Sequence, residues 1–153
     1  MLDALEYLHY DAGVVHRDLK LENILIDKDL TFKLIDFGLS TSNDIHNAVG
    51  IVGSPSYIAP EVIKKRTYDG TKVDLFSLGV MLFVIVQGQF PHGPNITKDK
   101  YHSLIRTKNY DAYFKAVDCT ELSQGFKNLI VALLAYKPHE RPSIAQIRES
   151  PFL

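Results

Sequence analysis

The sequence predicts a predominantly α-helical fold with one small antiparallel β-hairpin. Apolar residues recur at helical spacing in several segments separated by Gly, Pro and Ser. Only one pair of short β-type runs faces each other across a polar turn, Ile24-Leu25-Ile26-Asp27 and Phe32-Lys33-Leu34-Ile35 around Lys28-Asp29. The stretch from Leu78 to Val86 is too uniformly apolar for a surface helix, so it supplies a core for the others.

Leu2, Leu5 and Leu8, with Ala4 and Ala12, define a first helix that Gly13 stops, delivering the chain into Val14-Val15-His16. The hairpin follows, with Asn23 entering its first strand and Asp36 leaving its second, which brings two oxygen-bearing side chains together across a ladder. Residues 40–56, rich in Ser, Thr, Asn and Gly, read as a long loop, usually a functional sign. Pro60 keeps Ala59 out of the helical region and a short helix runs from Glu61 to Lys65. A buried helix spans residues 72–86, capped by Thr71 or Asp69. Gly88 to Asn95 is turn-rich, helices follow at 98–107 and 123–136, and the last runs from Ser143 to Glu149 with Ser143 as cap. The basic run Lys64-Lys65-Arg66 reads as solvated surface.

Composition narrows the function classes. Seventeen Lys and Arg face 18 Asp and Glu, a net charge of -1 that predicts neither nucleic acid nor a membrane as partner. The Leu78–Val86 stretch falls short of the roughly 20 residues that cross a bilayer. Cys119 is the sole cysteine, so no internal disulfide forms and a reducing compartment is expected. Asp3 and Glu6 lie among the first apolar residues without a basic leader, which argues against a secretory signal and for the cytoplasm, with the nucleus as the other compartment.

The chemistry sits in His16-Arg17-Asp18-Leu19-Lys20-Leu21-Glu22-Asn23 and in Asp36-Phe37-Gly38. Alone, Asp18 is an ordinary cap or turn residue, and an Asp two places before Gly is a common turn signal. Together they present a proton acceptor, a cation and two oxygen ligands for a hard metal, in a fixed order around a hairpin. The set resembles the active site of the protein kinase family, and the chain resembles the large C-terminal lobe of its catalytic domain, over residues 1–153.

The resemblance implies transfer of the terminal phosphate of ATP, with Mg²⁺, to protein substrates. Asp18 corresponds to the catalytic base. Lys20 neutralises the transferring phosphoryl group and marks Ser/Thr acceptors, while Asn23 and Asp36 hold the metal. Gly38 permits the sharp turn after Asp36, and Leu25 forms the floor under the adenine ring, supported by Met81 and Ile85. His16 joins an apolar stack with Phe37, which packs into the core beneath the site. Gly53-Ser54-Pro55-Ser56-Tyr57-Ile58-Ala59-Pro60-Glu61 resembles the end of an activation segment. Ser54 ties that segment to Asp18 and Lys20, and Tyr57 with Ile58 walls the pocket for the residue after the acceptor. Glu22 attracts a basic substrate residue. Glu61 pairs with Arg141, and Asp74 accepts backbone N–H groups of the catalytic loop.

Arg17 is a phosphate ligand in many relatives, ordering the loop after Asp-Phe-Gly. Here Asn47-Ala48-Val49-Gly50-Ile51-Val52 contains no hydroxyl, so phosphorylation at the usual place is not expected and Arg17 is left to bind an acidic side chain or the Ser54 region. Leu21, where many kinases have Pro, and Ser54-Pro55 lean toward the calcium/calmodulin-regulated and energy-sensing branches. No Gly-x-Gly-x-x-Gly loop or Val-Ala-x-Lys strand precedes the motif, so the small N-terminal lobe is missing from these residues. The expectation is an exposed ATP-side surface covered by that lobe or by a partner chain. The other account is a non-catalytic half-domain that binds proteins as a decoy or regulator.

Overall fold

The computed structural model describes residues 1–152. Seven α-helices and two two-stranded antiparallel sheets follow in the order α1 (Leu2–Glu6), β1 (Ile24–Ile26), β2 (Phe32–Leu34), β3 (Ala48–Val49), α2 (Pro60–Lys64), β4 (Thr67–Tyr68), α3 (Gly70–Gln87), α4 (Lys100–Arg106), α5 (Tyr110–Ala116), α6 (Gln124–Leu133) and α7 (Ile144–Arg148). The helical character and the hairpin are as the sequence predicts.

α3 is the axis of the fold. Asp69 caps it, its Oδ1 accepting the Thr71 N–H at 2.9 Å, and Gly88 ends it with φ +68° and an N–H to Val84 O at 2.8 Å. Its apolar side chains are buried against the rest of the molecule, among them Val73, Leu75, Phe76, Val80 and Phe83. This 18-residue helix is apolar enough in composition to cross a membrane, but here it is covered by the other elements over most of its length. α6 packs directly on it at Gly79. A Cβ on Gly79 would come within 2.6 Å of Leu133 Cβ, so only glycine allows this approach. Gly79→Ala is therefore expected to destabilise by about 1–2 kcal/mol in urea unfolding, the gain in helix propensity offsetting only part of the overpacking. A stabilised variant would show that the two helices can part freely.

The predicted hairpin forms, and its register places Ile24 opposite Leu34 and Ile26 opposite Phe32. Asp27 explains the turn, its Oδ1 accepting the N–H groups of Asp29 (2.9 Å) and Thr31 (3.0 Å). Ser143 closes a capping box with Gln146 on α7, as expected.

Several elements differ from expectation. The first helix widens into a π-helical turn over Tyr7–Asp11, with Ala12 N–H bonded to Tyr7 O at 2.9 Å, and this turn carries His9 inward to the buried carboxylate of Asp74. Residues 40–56 are not wholly irregular. Val15 and Thr41 exchange backbone hydrogen bonds, β3 pairs with β4, and the Tyr68 hydroxyl donates to Gly50 O at 2.8 Å. α5 was not foreseen, and helices 98–107 and 123–136 are shorter than their apolar patterns.

Beside α3, His92, His102, Phe76 and Tyr136 form an aromatic cluster. Burial, then the neighbouring His92, pushes His102 down to about 4, and its Nε2–H donates to Leu134 O at 3.1 Å. The unfolded chain takes up this proton near pH 6.5, the folded chain only near 4, so stability is complete above pH 6.5 and falls as the pH drops between the two. At about 1.4 kcal/mol per pH unit, this group alone removes roughly 3 kcal/mol by pH 4. Urea midpoints of His102→Gln across that range are expected to show a flatter slope; an unchanged slope would refute the assignment.

Candidate active site

The loop between α1 and β1 is fixed from inside. Asp74 is fully buried on α3, and its carboxylate accepts the backbone N–H groups of His16 (2.9 Å) and Arg17 (2.8 Å) and the His9 ring Nε2 (2.9 Å). A buried carboxylate needs such donors, so the predicted role of Asp74 holds in the structure. His9 completes the set and was missed, because only the π-helical turn aims it inward. His16 is buried as predicted, donating Nε2–H to Ile35 O at 3.1 Å and accepting the Asp18 N–H on Nδ1 at 3.3 Å. One imidazole thus links the end of β2 to Asp18.

Asp18 holds the centre. Its Oδ1 accepts both the backbone N–H of Ser54 (2.8 Å) and the Ser54 hydroxyl (2.9 Å), while its Oδ2 accepts Lys20 Nζ at 2.7 Å. Lys20 also reaches Ser54 Oγ at 3.0 Å, so the three side chains close a triangle across 36 residues. Burial pushes the Asp18 carboxyl up, but the hydrogen bonds from Lys20 and Ser54 together outweigh it and hold it below the usual range. Lys20 is raised, first by its bond to Asp18 and further by the fields of Glu22 and Asp36.

Asn23 ends a 3₁₀ turn, Leu21–Asn23, with its amide Nδ2 on Asp18 O at 2.9 Å, which leaves Oδ1 as the atom able to meet a cation. Ile35 N–H donates to Asn23 O at 2.9 Å, so the next residue, Asp36, enters beside it. Asp36 has φ +62°, and its Oδ1 accepts Gly38 N–H at 3.2 Å. Among the described residues no three His, Cys, Asp or Glu side chains cluster as a self-sufficient metal cage. One amide oxygen and one exposed carboxylate suit a hard cation that draws its remaining ligands from water and phosphate, which is the habit of Mg²⁺.

The loop is seated on the site by backbone contacts. Arg17 donates from Nε to Leu39 O (2.7 Å) and from Nη1 to Val49 O (2.8 Å), so it holds the loop through two carbonyls and not through the acidic side chain or the Ser54 region expected from sequence. Gly53, at φ +108°, lies where a Cβ would approach Arg17 O within 2.7 Å. Tyr57 is buried, its carbonyl accepting Ser77 Oγ at 2.9 Å, and its hydroxyl faces Glu22 Oε2 at 3.5 Å. The Glu61–Arg141 pair forms as expected, with Nη1–Oε1 at 2.5 Å and Nη2–Oε2 at 2.8 Å, both residues buried.

Two placements differ from the sequence reading. Phe37 meets the His16 ring edge-on at 5.0 Å but is 47% exposed, because only this one face finds a partner, so it is not packed into the core. Ile85 is 64% exposed on α3 while Met81 is buried, so core packing accounts for Met81 and not for Ile85; Leu25 stands 53% exposed on the hairpin.

A buried loop carboxylate held by a lysine and a loop serine, with an Asn entering the hairpin and an exposed Asp leaving it, is the arrangement the sequence reading expects of a protein kinase lobe. Residues 1–153 match the protein kinase domain, and the chain belongs to the protein kinase family. It is 40% identical over 156 residues to CBL-interacting protein kinase 11 of Oryza sativa subsp. japonica, an alignment covering 98% of this chain and 29% of that one. It is 39% identical over 147 residues to serine/threonine-protein kinase kin-29 of Caenorhabditis briggsae, covering 94% of this chain and 17% of that protein. CBL-interacting protein kinase 31 of the same rice is 38% identical over 156 residues, with 99% and 33% covered. The chain thus spans a third or less of the length of these curated relatives.

Proposed function

We propose that these residues form the substrate- and metal-binding lobe of a serine/threonine protein kinase that moves the terminal phosphate of ATP to protein hydroxyls. The observation that carries this reading is the triangle of Asp18, Lys20 and Ser54. A carboxylate kept ionised by its donors can orient a substrate hydroxyl and take up its proton. Lys20 balances negative charge at that point, and Ser54 locks the loop that presents the acceptor. Asn23 and Asp36 hold Mg²⁺, and the bound nucleotide with its metal supplies the phosphoryl group and neutralises its charge. Tyr57 and Ile58 wall the pocket for the residue after the acceptor, and exposed Glu22 favours a basic substrate side chain.

Leu25, Ile26, Phe32 and Phe37 stand about half exposed along the hairpin and beside the metal ligands. We read this face as the side covered by a nucleotide-binding small lobe, from the same protein or a partner chain. Supplying such a lobe upstream and measuring radiolabel transfer from ATP to Ser, Thr and Tyr peptides tests both statements. Transfer to Ser or Thr that Asp18→Asn abolishes is the expected result. Folded, soluble, completed protein that transfers nothing would instead favour the non-catalytic binder.

A further inference from the structure

The charge of the chain is nearly balanced, at -1, yet several of its cations line the hollows around one residue, Tyr136. Lys64 of α2 donates to the Tyr136 hydroxyl at 2.8 Å with its Nζ 5.1 Å from the ring centroid, and the Arg106 guanidinium of α4 lies 5.7 Å from the same centroid. The bond from Lys64 comes first among the influences that hold the phenol below its usual range. Tyr136 forms a ridge shared by three shallow hollows of about 270, 110 and 140 Å³.

The carboxylates on this face are already engaged. Asp99 accepts the backbone N–H groups of His102 (2.8 Å) and Gly93 (2.9 Å), Glu140 faces Lys108 at 3.3 Å and Lys137 at 3.9 Å, and Glu61 is held by Arg141. Lys64, Lys65, Lys98, Lys100 and Arg106 have, among the described residues, no carboxylate within 4.0 Å. The run Lys64-Lys65, read from sequence as ordinary solvated surface, is therefore one side of a larger cationic face that the fold assembles.

We propose that this face, built by α2, α4 and the segment after α6, docks an acidic, Asp- and Glu-rich peptide segment of a partner protein. The cations are spread over three hollows and do not converge on one point, which suits several spaced carboxylates better than a single phosphate. The Tyr136 ring and the lysine stems give such a segment apolar contact between its charges. The near-neutral chain offers no wider positive field of the kind that nucleic acid binding needs. The proposal does not depend on phosphotransfer.

The test is fluorescence anisotropy with a short fluorescein-labelled Glu-Ala-Gly peptide. Binding is expected to weaken at roughly 0.3 M salt, where screening shortens to a few Å. The triple variant K64E/K98E/R106E is expected to lose about tenfold or more in affinity, since rim charges act mainly through steering and screening. A second variant, Lys98→Gln with Lys100→Gln, touches only exposed side chains at the start of α4 and keeps the test open should the triple variant unfold. A severalfold loss there supports the proposal. Equal binding by wild type and both variants, equal binding of a Gln-Ala-Gly peptide, or tighter binding of duplex DNA or anionic vesicles than of the acidic peptide would each overturn it.

Discussion

Asp18→Asn in the completed kinase is expected to lower kcat by about 10²- to 10⁴-fold while leaving the peptide KM nearly unchanged. The amide fills the same space and its oxygen can still accept the Ser54 N–H at the position of Oδ1. Its NH₂ group, however, then faces Lys20 Nζ, where Oδ2 now accepts at 2.7 Å, so donor meets donor and the lysine is released. Proton uptake and charge balance fail together, which is why the loss falls on kcat. The pH dependence follows from the same contacts. With Asp18 held below the ordinary carboxylate range, the acid limb of activity lies below that range, and Ser54→Ala is expected to move it upward by removing the hydroxyl donor. For stability the sign is the same: the contribution is present above the unfolded carboxyl pKa and is lost as the pH falls through the lowered folded one. Steady-state kinetics on both variants decide it, and an Asp18→Asn enzyme with wild-type kcat would remove Asp18 from the chemistry.

Arg141→Met is expected to destabilise the protein by about 3–5 kcal/mol, measured by urea unfolding. The guanidinium makes a two-pronged bond to Glu61, donates from Nε to Ala135 O at 3.0 Å and from Nη1 to Lys72 O at 2.8 Å, and lies 4.9 Å from the Phe76 ring centroid. Removing it strands a buried carboxylate and two carbonyls. Arg141→Lys is expected to recover little, since a single ammonium cannot reproduce the planar fork. Adding Glu61→Leu to Arg141→Met removes the stranded charge and is expected to restore much of the loss. If the single variant costs less than about 1 kcal/mol, the pair is ornamental and α2 is held by packing alone.

The parts legible from sequence were those whose cause is local. Alternation on both sides of Asp27 announces the hairpin, and Asp18, Lys20, Asn23 and Asp36 are recognisable by type and order. The missed parts depend on residues far apart in the chain. The π-helical turn brings His9 to Asp74, 65 positions away, and no periodicity near His9 encodes that contact. The β3–β4 ladder is two residues long and joins segments whose composition reads as loop. The role of Arg17 depends on the loop bringing Val49 O to it, a carbonyl that any residue type would supply. Ile85 was misplaced for the opposite reason: its apolar character was read as burial, although an apolar side chain is not obliged to be covered by its own fold.

Asp74 also sets the order in which this molecule can be built. Arg17 has φ +66°, a left-handed conformation that a non-glycine residue does not choose in isolation, and its N–H with that of His16 ends on a carboxylate carried by α3. The loop therefore has no reason to adopt its working shape until α3 is packed and Asp74 is buried. The site is therefore expected to mature after the core. Both amide hydrogens end on this buried carboxylate, so they are expected to exchange for deuterium more slowly than the hairpin amides, which open by local fraying. The reactive surface of the lobe is thus timed and guarded by its least accessible charge.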